Sequence, residues 1–189
     1  MSFNFIADRL SEDQHCIVPD FFSIEETNTF SEALKVLQSS GDFQKARVGR
    51  NSETQLQETV RGDQICWMNS EEPLFASYFK KMELVRNAIN EKLFLGAYSL
   101  DAHFVSYEAG AHRDAFSAGD SRLLSTVCYL NEDWKDSEGG QLKLYLENKI
   151  VEVFPQSGTM VCFFSQTQEH EVLPATRERL SIAGWFKRA

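Results

Sequence analysis

Positive charge is in short supply: 19 Lys and Arg stand against 28 Asp and Glu, a formal net charge of -9. That balance excludes a general nucleic-acid binder, because sequence-independent affinity for a phosphate backbone comes from Lys and Arg neutralising phosphates. Long apolar runs are also missing. No stretch approaches the ~18 residues of a membrane span, and Met1 to Leu10 is too polar for a secretory signal. The expected location is therefore the cytoplasm, with no membrane partner. The four cysteines, Cys16, Cys66, Cys128 and Cys162, form no Cys-x-x-Cys pair and sit among apolar neighbours. They read as reduced, buried thiols rather than a disulfide framework. Internal repeats and low-complexity tracts are absent.

The 189 residues are 42% apolar and 25% charged, with fifteen Phe, enough for one packed core. The expectation is a single domain over 1–189, its helical part at about 1–95 and a β core at about 97–187. Ser23-Ile24-Glu25-Glu26 has the form of a capping box, and Phe30, Leu34 and Leu37 follow at helical spacing towards Gly41. A second helix is expected after Ser70, with Glu71, Glu72 and Pro73 in its first turn. Phe75, Tyr78, Phe79, Met82, Val85, Ile89 and Leu93 form its apolar stripe.

Beyond Gly96 the pattern changes to alternating or short apolar runs broken by turn residues. Strands are expected at Tyr98 to Tyr107, Leu123 to Asn131, Gln141 to Leu146, Ile150 to Phe154, Thr159 to Phe164, Glu169 to Leu173 and Leu180 to Phe186. Helices followed by about seven strands predict an α+β, mainly β chain: a double-stranded β-helix (jelly roll) buttressed by two N-terminal helices. The polar stretch from Lys45 to Asp63 reads as a long loop, either a lid or a passive connector.

His112-Arg113-Asp114 carries the chemistry. In an extended strand, residues i and i+2 face the same side, so His112 and Asp114 can reach one ion while Arg113 faces away. His170 supplies a second imidazole from another strand. Two His and one carboxylate with open positions suit non-heme Fe(II), and such a site weakens at acidic pH as its ligands protonate. Arg179 offers a planar fork suited to a carboxylate, and Tyr129 could hydrogen-bond the same group. His15 and His103 have no comparable partners and are not expected to be ligands. His103 shares a face with Tyr107, four residues on.

These residues, together with Arg61-Gly62-Asp63-Gln64-Ile65-Cys66-Trp67, Tyr129-Leu130-Asn131-Glu132-Asp133-Trp134, Gly139-Gly140-Gln141-Leu142, His170-Glu171-Val172-Leu173-Pro174 and Arg179-Leu180-Ser181-Ile182-Ala183-Gly184-Trp185-Phe186, carry a resemblance. The chain resembles 2-oxoglutarate- and Fe(II)-dependent dioxygenases of the prolyl 4-hydroxylase type, similar to hypoxia-sensing prolyl hydroxylases and their bacterial relatives, from about Cys16 onward.

The resemblance implies Fe(II) on His112, Asp114 and His170, with 2-oxoglutarate and O2 as co-substrates and ascorbate as a reductant. Arg179 would hold the distal carboxylate of 2-oxoglutarate with help from Tyr129, while Tyr107, Leu142 and Trp185 line the pocket. Arg61, Asp63 and Trp67 belong to the segment expected at the substrate. The implied reaction is C4 hydroxylation of a prolyl residue in a protein, with succinate and CO2 as co-products. In bacterial relatives that protein is a translation elongation factor; a monomer is expected. One departure stands out: only Glu108-Ala109-Gly110-Ala111 separate Tyr107 from His112, about four residues fewer than the family pattern. Two alternatives stay open: oxidation of another side chain or a small molecule, and a non-catalytic jelly-roll module that binds metal or peptide.

Overall fold

The computed structural model describes residues 3–45, 63–111, 113–116 and 122–189, the stretch 113–116 as backbone only. Eleven strands form two antiparallel sheets among these residues. They are β1 (His15–Val18), β2 (Gln44–Lys45), β3 (Asp63–Trp67), β4 (Ser99–Tyr107), β5 (Arg113–Phe116), β6 (Arg122–Tyr129), β7 (Leu142–Tyr145), β8 (Ile150–Val153), β9 (Met160–Phe164), β10 (Glu169–Val172) and β11 (Arg179–Lys187). The large sheet runs β1-β9-β6-β11-β4-β3-β2 and the small one β5-β10-β7-β8.

Strand parity divides the apolar residues into two layers. One face of the large sheet presents Phe104, Leu124, Cys128, Cys162, Ile182 and Phe186 to the helices. The other presents Val105, Tyr107, Tyr129, Val161 and Phe163 to Leu142, Leu144, Val153 and Val172 of the small sheet. Because both faces of β6, β9 and β11 are covered, none of them alternates strictly, and β9 reads as a continuous apolar run. In the small sheet β7 alternates instead, Leu142 and Leu144 buried and Lys143 and Tyr145 partly exposed.

Three helices cover the outer face: α1 (Asn4–Asp13), α2 (Ile24–Ser40) and α3 (Ala76–Leu93). The Ser23 capping box forms as expected. Ser23 Oγ accepts from the Glu26 N–H at 3.2 Å, and the Glu26 carboxylate accepts from the Ser23 N–H at 2.8 Å. The second expected helix begins differently, with a 3-10 turn at Pro73–Phe75 preceding α3. Glu72 is extended and caps nothing with its side chain, so Glu71 and Glu72 stay outside the helix. Helix α1 is an addition to the two predicted, and β1, β2 and β3 lie in the part expected to be helical. They pair at the two edges of the large sheet, β1 on β9 and β3 on β4.

The short link after Tyr107 is resolved by a turn. The Ala111 N–H donates to the Glu108 carbonyl at 2.9 Å, and Gly110 sits at φ +82°, the left-handed third position of a tight turn. This turn carries the chain from β4 in the large sheet to β5 in the small one. The lid reading of 46–62 lies outside the described residues, as do Arg61 and His112.

Candidate active site

The register of the large sheet lays out the site in layers. Arg179 pairs with Tyr107, which pairs with Asp63 on its other side. Two residues along β11, Ser181 lies between Val105 and Tyr129. Two further on, Ala183 lies opposite His103, which pairs with Trp67. Trp185 then lies opposite Ser125, and Ser125 opposite Phe163. At ~3.4 Å per residue, Arg179 and Trp185 are about 20 Å apart along the strand. A cavity of about 50 Å³ between the sheets touches Arg179, Tyr107, Leu142, His170, His103 and Trp185 among others. That is room for several waters or a small carboxylate, one water needing roughly 10–15 Å³.

Arg179 is 2% exposed, so the surface ion pair that a lone Arg on a terminal strand suggests is not what forms. Its Cζ lies 4.6 Å from the Tyr107 ring centre and 5.6 Å from that of Tyr129. Nη1 donates to the Gly140 carbonyl at 3.2 Å. Among the described residues no carboxylate pairs with it, and Nε makes no hydrogen bond. The Gly139-Gly140 turn makes this possible. Both glycines have positive φ, and a Cβ on Gly140 would lie 3.5 Å from Arg179 Cδ and 3.0 Å from the Trp134 ring. A buried guanidinium without its counter-charge is costly, so its surroundings suit an anionic ligand.

Tyr129 supports the same conclusion. The ring is fully buried and its hydroxyl has no hydrogen-bond partner among the described residues. Burial pushes the phenol up to about 12, against a smaller lowering by Arg179. It remains a neutral donor beside a cation, which is what a bound carboxylate requires.

His170 comes from the facing sheet. It is buried, and its ring centre lies 4.7 Å from that of Phe163. Nδ1 lies 2.9 Å from the Gln168 carbonyl. A carbonyl only accepts, so Nδ1 donates, an outer hydrogen bond of the kind that orients a metal-binding His. Gln168 is itself pinned, its amide donating to the carbonyls of Tyr145 and Glu169.

On β5, His170 pairs with Phe116 and Val172 with Arg113, with a register shift between them. One residue, Glu171, thus opposes two, Asp114 and Ala115, as in a β-bulge. The backbone of Asp114 therefore runs beside that of His170, bringing the two expected ligands to neighbouring positions. Asp63 and Trp67 prove to be the two ends of β3. Asp63 is buried at the Tyr107 layer, and Trp67 is 58% exposed near the other end. His103 was set aside as a ligand, yet its face placed it in the cavity, between Trp67 and Trp185 at 4.8 and 4.9 Å.

A buried guanidinium, an unpartnered phenol and an oriented imidazole lie together inside a two-sheet β-helix, a set that suits an anionic ligand. Residues 102–187 match the family model of the 2OG-Fe(II) oxygenase superfamily. Along 99% of both chains the fold superimposes on a Pseudomonas putida prolyl-4-hydroxylase, at 33% identity and a TM-score of 0.89. A Trichoplax adhaerens prolyl hydroxylase, solved with a hypoxia-inducible-factor degradation-domain peptide, is 25% identical with a TM-score of 0.87, covering 98% of this chain and 88% of that one. Mouse Egl nine homolog 1 is 26% identical over 98% of this chain and 50% of its own length. The chain thus spans about half the length of that curated relative. It belongs to the 2OG-Fe(II) oxygenase superfamily, whose members use Fe(II), 2-oxoglutarate and O2. No helix among the described residues is long and apolar enough to cross a membrane.

Proposed function

We propose that the chain is a 2-oxoglutarate-dependent dioxygenase that hydroxylates C4 of a prolyl residue in a protein. The observation that carries this reading is the buried Arg179, which lines the same cavity as His170 and lies near the ring of Tyr129, whose hydroxyl is unpartnered among the described residues. Arg179 binds and orients the distal carboxylate of 2-oxoglutarate, its fork giving direction as well as charge, and Tyr129 donates to that carboxylate. Tyr107 and Leu142 flank it and exclude water. His112, Asp114 and His170 hold Fe(II), and the Gln168 carbonyl orients the His170 ring. With Fe(II) and 2-oxoglutarate bound, the site supplies the oxidising chemistry that splits O2 between succinate and the hydroxylated product. Ascorbate serves as the reductant.

The acceptor is inferred from kinship: the relatives named above are prolyl hydroxylases, one of them solved with a polypeptide. Arg61, Asp63 and Trp67 belong to the segment that meets that substrate, while Trp185 lines the cavity. A translation elongation factor is the first candidate, with the enzyme acting as a monomer in the cytoplasm, where four free, buried thiols would stay reduced.

Incubating the protein with Fe(II), 2-oxoglutarate, ascorbate and a proline-containing protein should give O2-dependent succinate and a gain of about 16 Da, the mass of one oxygen atom. Arg179→Met and His170→Ala should each abolish both, while His15→Ala should not. Succinate without any mass gain on protein would transfer the reading to a small-molecule acceptor. Absence of succinate with correctly folded protein would leave a binding module.

A further inference from the structure

Strand β4 outruns its neighbour. On the β3 side its pairing ends at His103 opposite Trp67, and one further hydrogen bond, Met68 N–H to the Ala102 carbonyl at 3.0 Å, closes the ladder. On the other side β11 stays paired with β4 as far as Ser99. Ser99 to Asp101 therefore form a stretch of sheet edge with no described strand beside them on the β3 side. By strand parity, the backbone groups of Leu100 point the same way as those of Ala102, out of that edge.

Against this edge lies a groove of about 380 Å³ lined by Trp67, Met68, Ser70, Phe79, Leu100 and Asp101, among others. Five of its seven lining residues, Trp67, Met68, Phe79, Leu100 and Ala102, carry apolar side chains. Leu100 and Phe79 are half-buried, and the charged residue of the lining, Asp101, is paired with Lys187. Trp67 belongs to both places: one side of the indole packs on His103 and Trp185 at the cavity, and it also walls the groove.

We propose that this groove is a subsite for the polypeptide substrate. The substrate chain adds in extended form to the open edge of β4, and an apolar side chain within three residues of the target proline fills the groove. The proposal rests on the reading of the site as a protein hydroxylase. Its further support is continuity. A residue in the groove and a residue entering the cavity are separated by one indole, the reach of two or three extended residues at ~3.3 Å each. Backbone pairing supplies affinity and the pocket supplies selectivity, as in other additions of a strand to a sheet edge.

The test uses proline-centred nonapeptides in which each position within three of the proline is Leu or Ser. Peptide binding is followed by indole fluorescence, and turnover by succinate release. Wild-type protein should bind one Leu-containing register at least tenfold more tightly than its Ser counterpart. Phe79→Ala and Leu100→Ala should each erase that preference by raising KM for the Leu peptide, with kcat and the slow peptide-free conversion of 2-oxoglutarate unchanged. Equal binding of all Leu and Ser registers by the wild type, or a preference that survives both variants, overturns the subsite. Because the Leu-Ser comparison is made on the unmodified protein, it does not depend on how the variants fold. Selective binding without any succinate would instead sink the hydroxylase reading and leave the groove standing.

Discussion

Tyr129 separates binding from folding at a single atom. Its hydroxyl is buried and unpartnered among the described residues, so it bears a desolvation cost that nothing visible offsets. Tyr129→Phe should therefore leave the melting temperature unchanged or raise it slightly. The same change removes a donor from the carboxylate of 2-oxoglutarate. A hydrogen bond to a charged group contributes about 1.5–3 kcal/mol, so the dissociation constant for 2-oxoglutarate should rise at least tenfold, as measured by calorimetry. The pH dependence has a defined sign. The phenol is pushed up to about 12 by burial, above the ~10 of an unfolded tyrosine. Between those values the unfolded chain loses the proton and the folded chain keeps it, so stability due to this group is complete below about pH 10 and falls as pH rises towards 12. Burial also raises Tyr78, and the hydrogen bond to Glu171 raises Tyr145, so ultraviolet titration near pH 10–11 should show fewer tyrosinates in folded wild type than in unfolded protein, and Tyr129→Phe should reduce that deficit by one.

At the scale of elements, turns decide where side chains converge. Gly140 sits at φ +74° with its carbonyl on Arg179, whereas Gly41, at the end of α2, sits at φ +81° in open space. An added Cβ costs roughly 1–2 kcal/mol of backbone strain at either place, so Gly140→Ala and Gly41→Ala should both lower the melting temperature. Only Gly140→Ala presses on Trp134 and Ala175, in contact with Arg179, and only it should also weaken 2-oxoglutarate. Equal ligand affinity in the two variants would show that the Gly139-Gly140 turn does not support the anchor. The same contrast between local signal and tertiary context governs what could be read from the chain. Seven of the eight strands from β4 onward and helix α2 announce themselves through apolar runs, turn residues and a capping box. Helix α1 has no side-chain cap and no acidic residue in its first turn. Strands β1 and β5 are four residues long, as β7, β8 and β10 are, but β1 lies between two helices and Arg-Asp-Ala-Phe of β5 has no apolar run. Arg179 was legible as a carboxylate grip from its chemistry and its resemblance, but its burial depends on β4, β6 and the glycine turn. The role of Gln168 in fixing His170 left no signal beyond a polar residue two places before it.

For the whole molecule, the site joins two sheets, so ligands that occupy it should stabilise the fold as a unit. Arg179 and Tyr129 lie on the large sheet, His170 and the backbone of Asp114 on the small one. A ligand that binds only the native state adds about 2.7 kcal/mol at one hundred times its dissociation constant. For a chain of 189 residues, each kcal/mol raises the melting temperature by roughly 2–4 °C. Saturating 2-oxoglutarate with Mn(II), a redox-silent substitute for iron, should therefore raise it by about 5–11 °C in a scanning experiment. If the metal and the dianion share one site, the two together should shift the transition by more than the sum of either alone, because each would bind more tightly when the other is present. Arg179→Met should remove the 2-oxoglutarate shift and this excess while keeping the shift from Mn(II), whereas His170→Ala should remove the metal shift and the excess. Strictly additive shifts in wild type, each unaffected by loss of the other ligand's residue, would mean that the guanidinium and the imidazole serve separate sites.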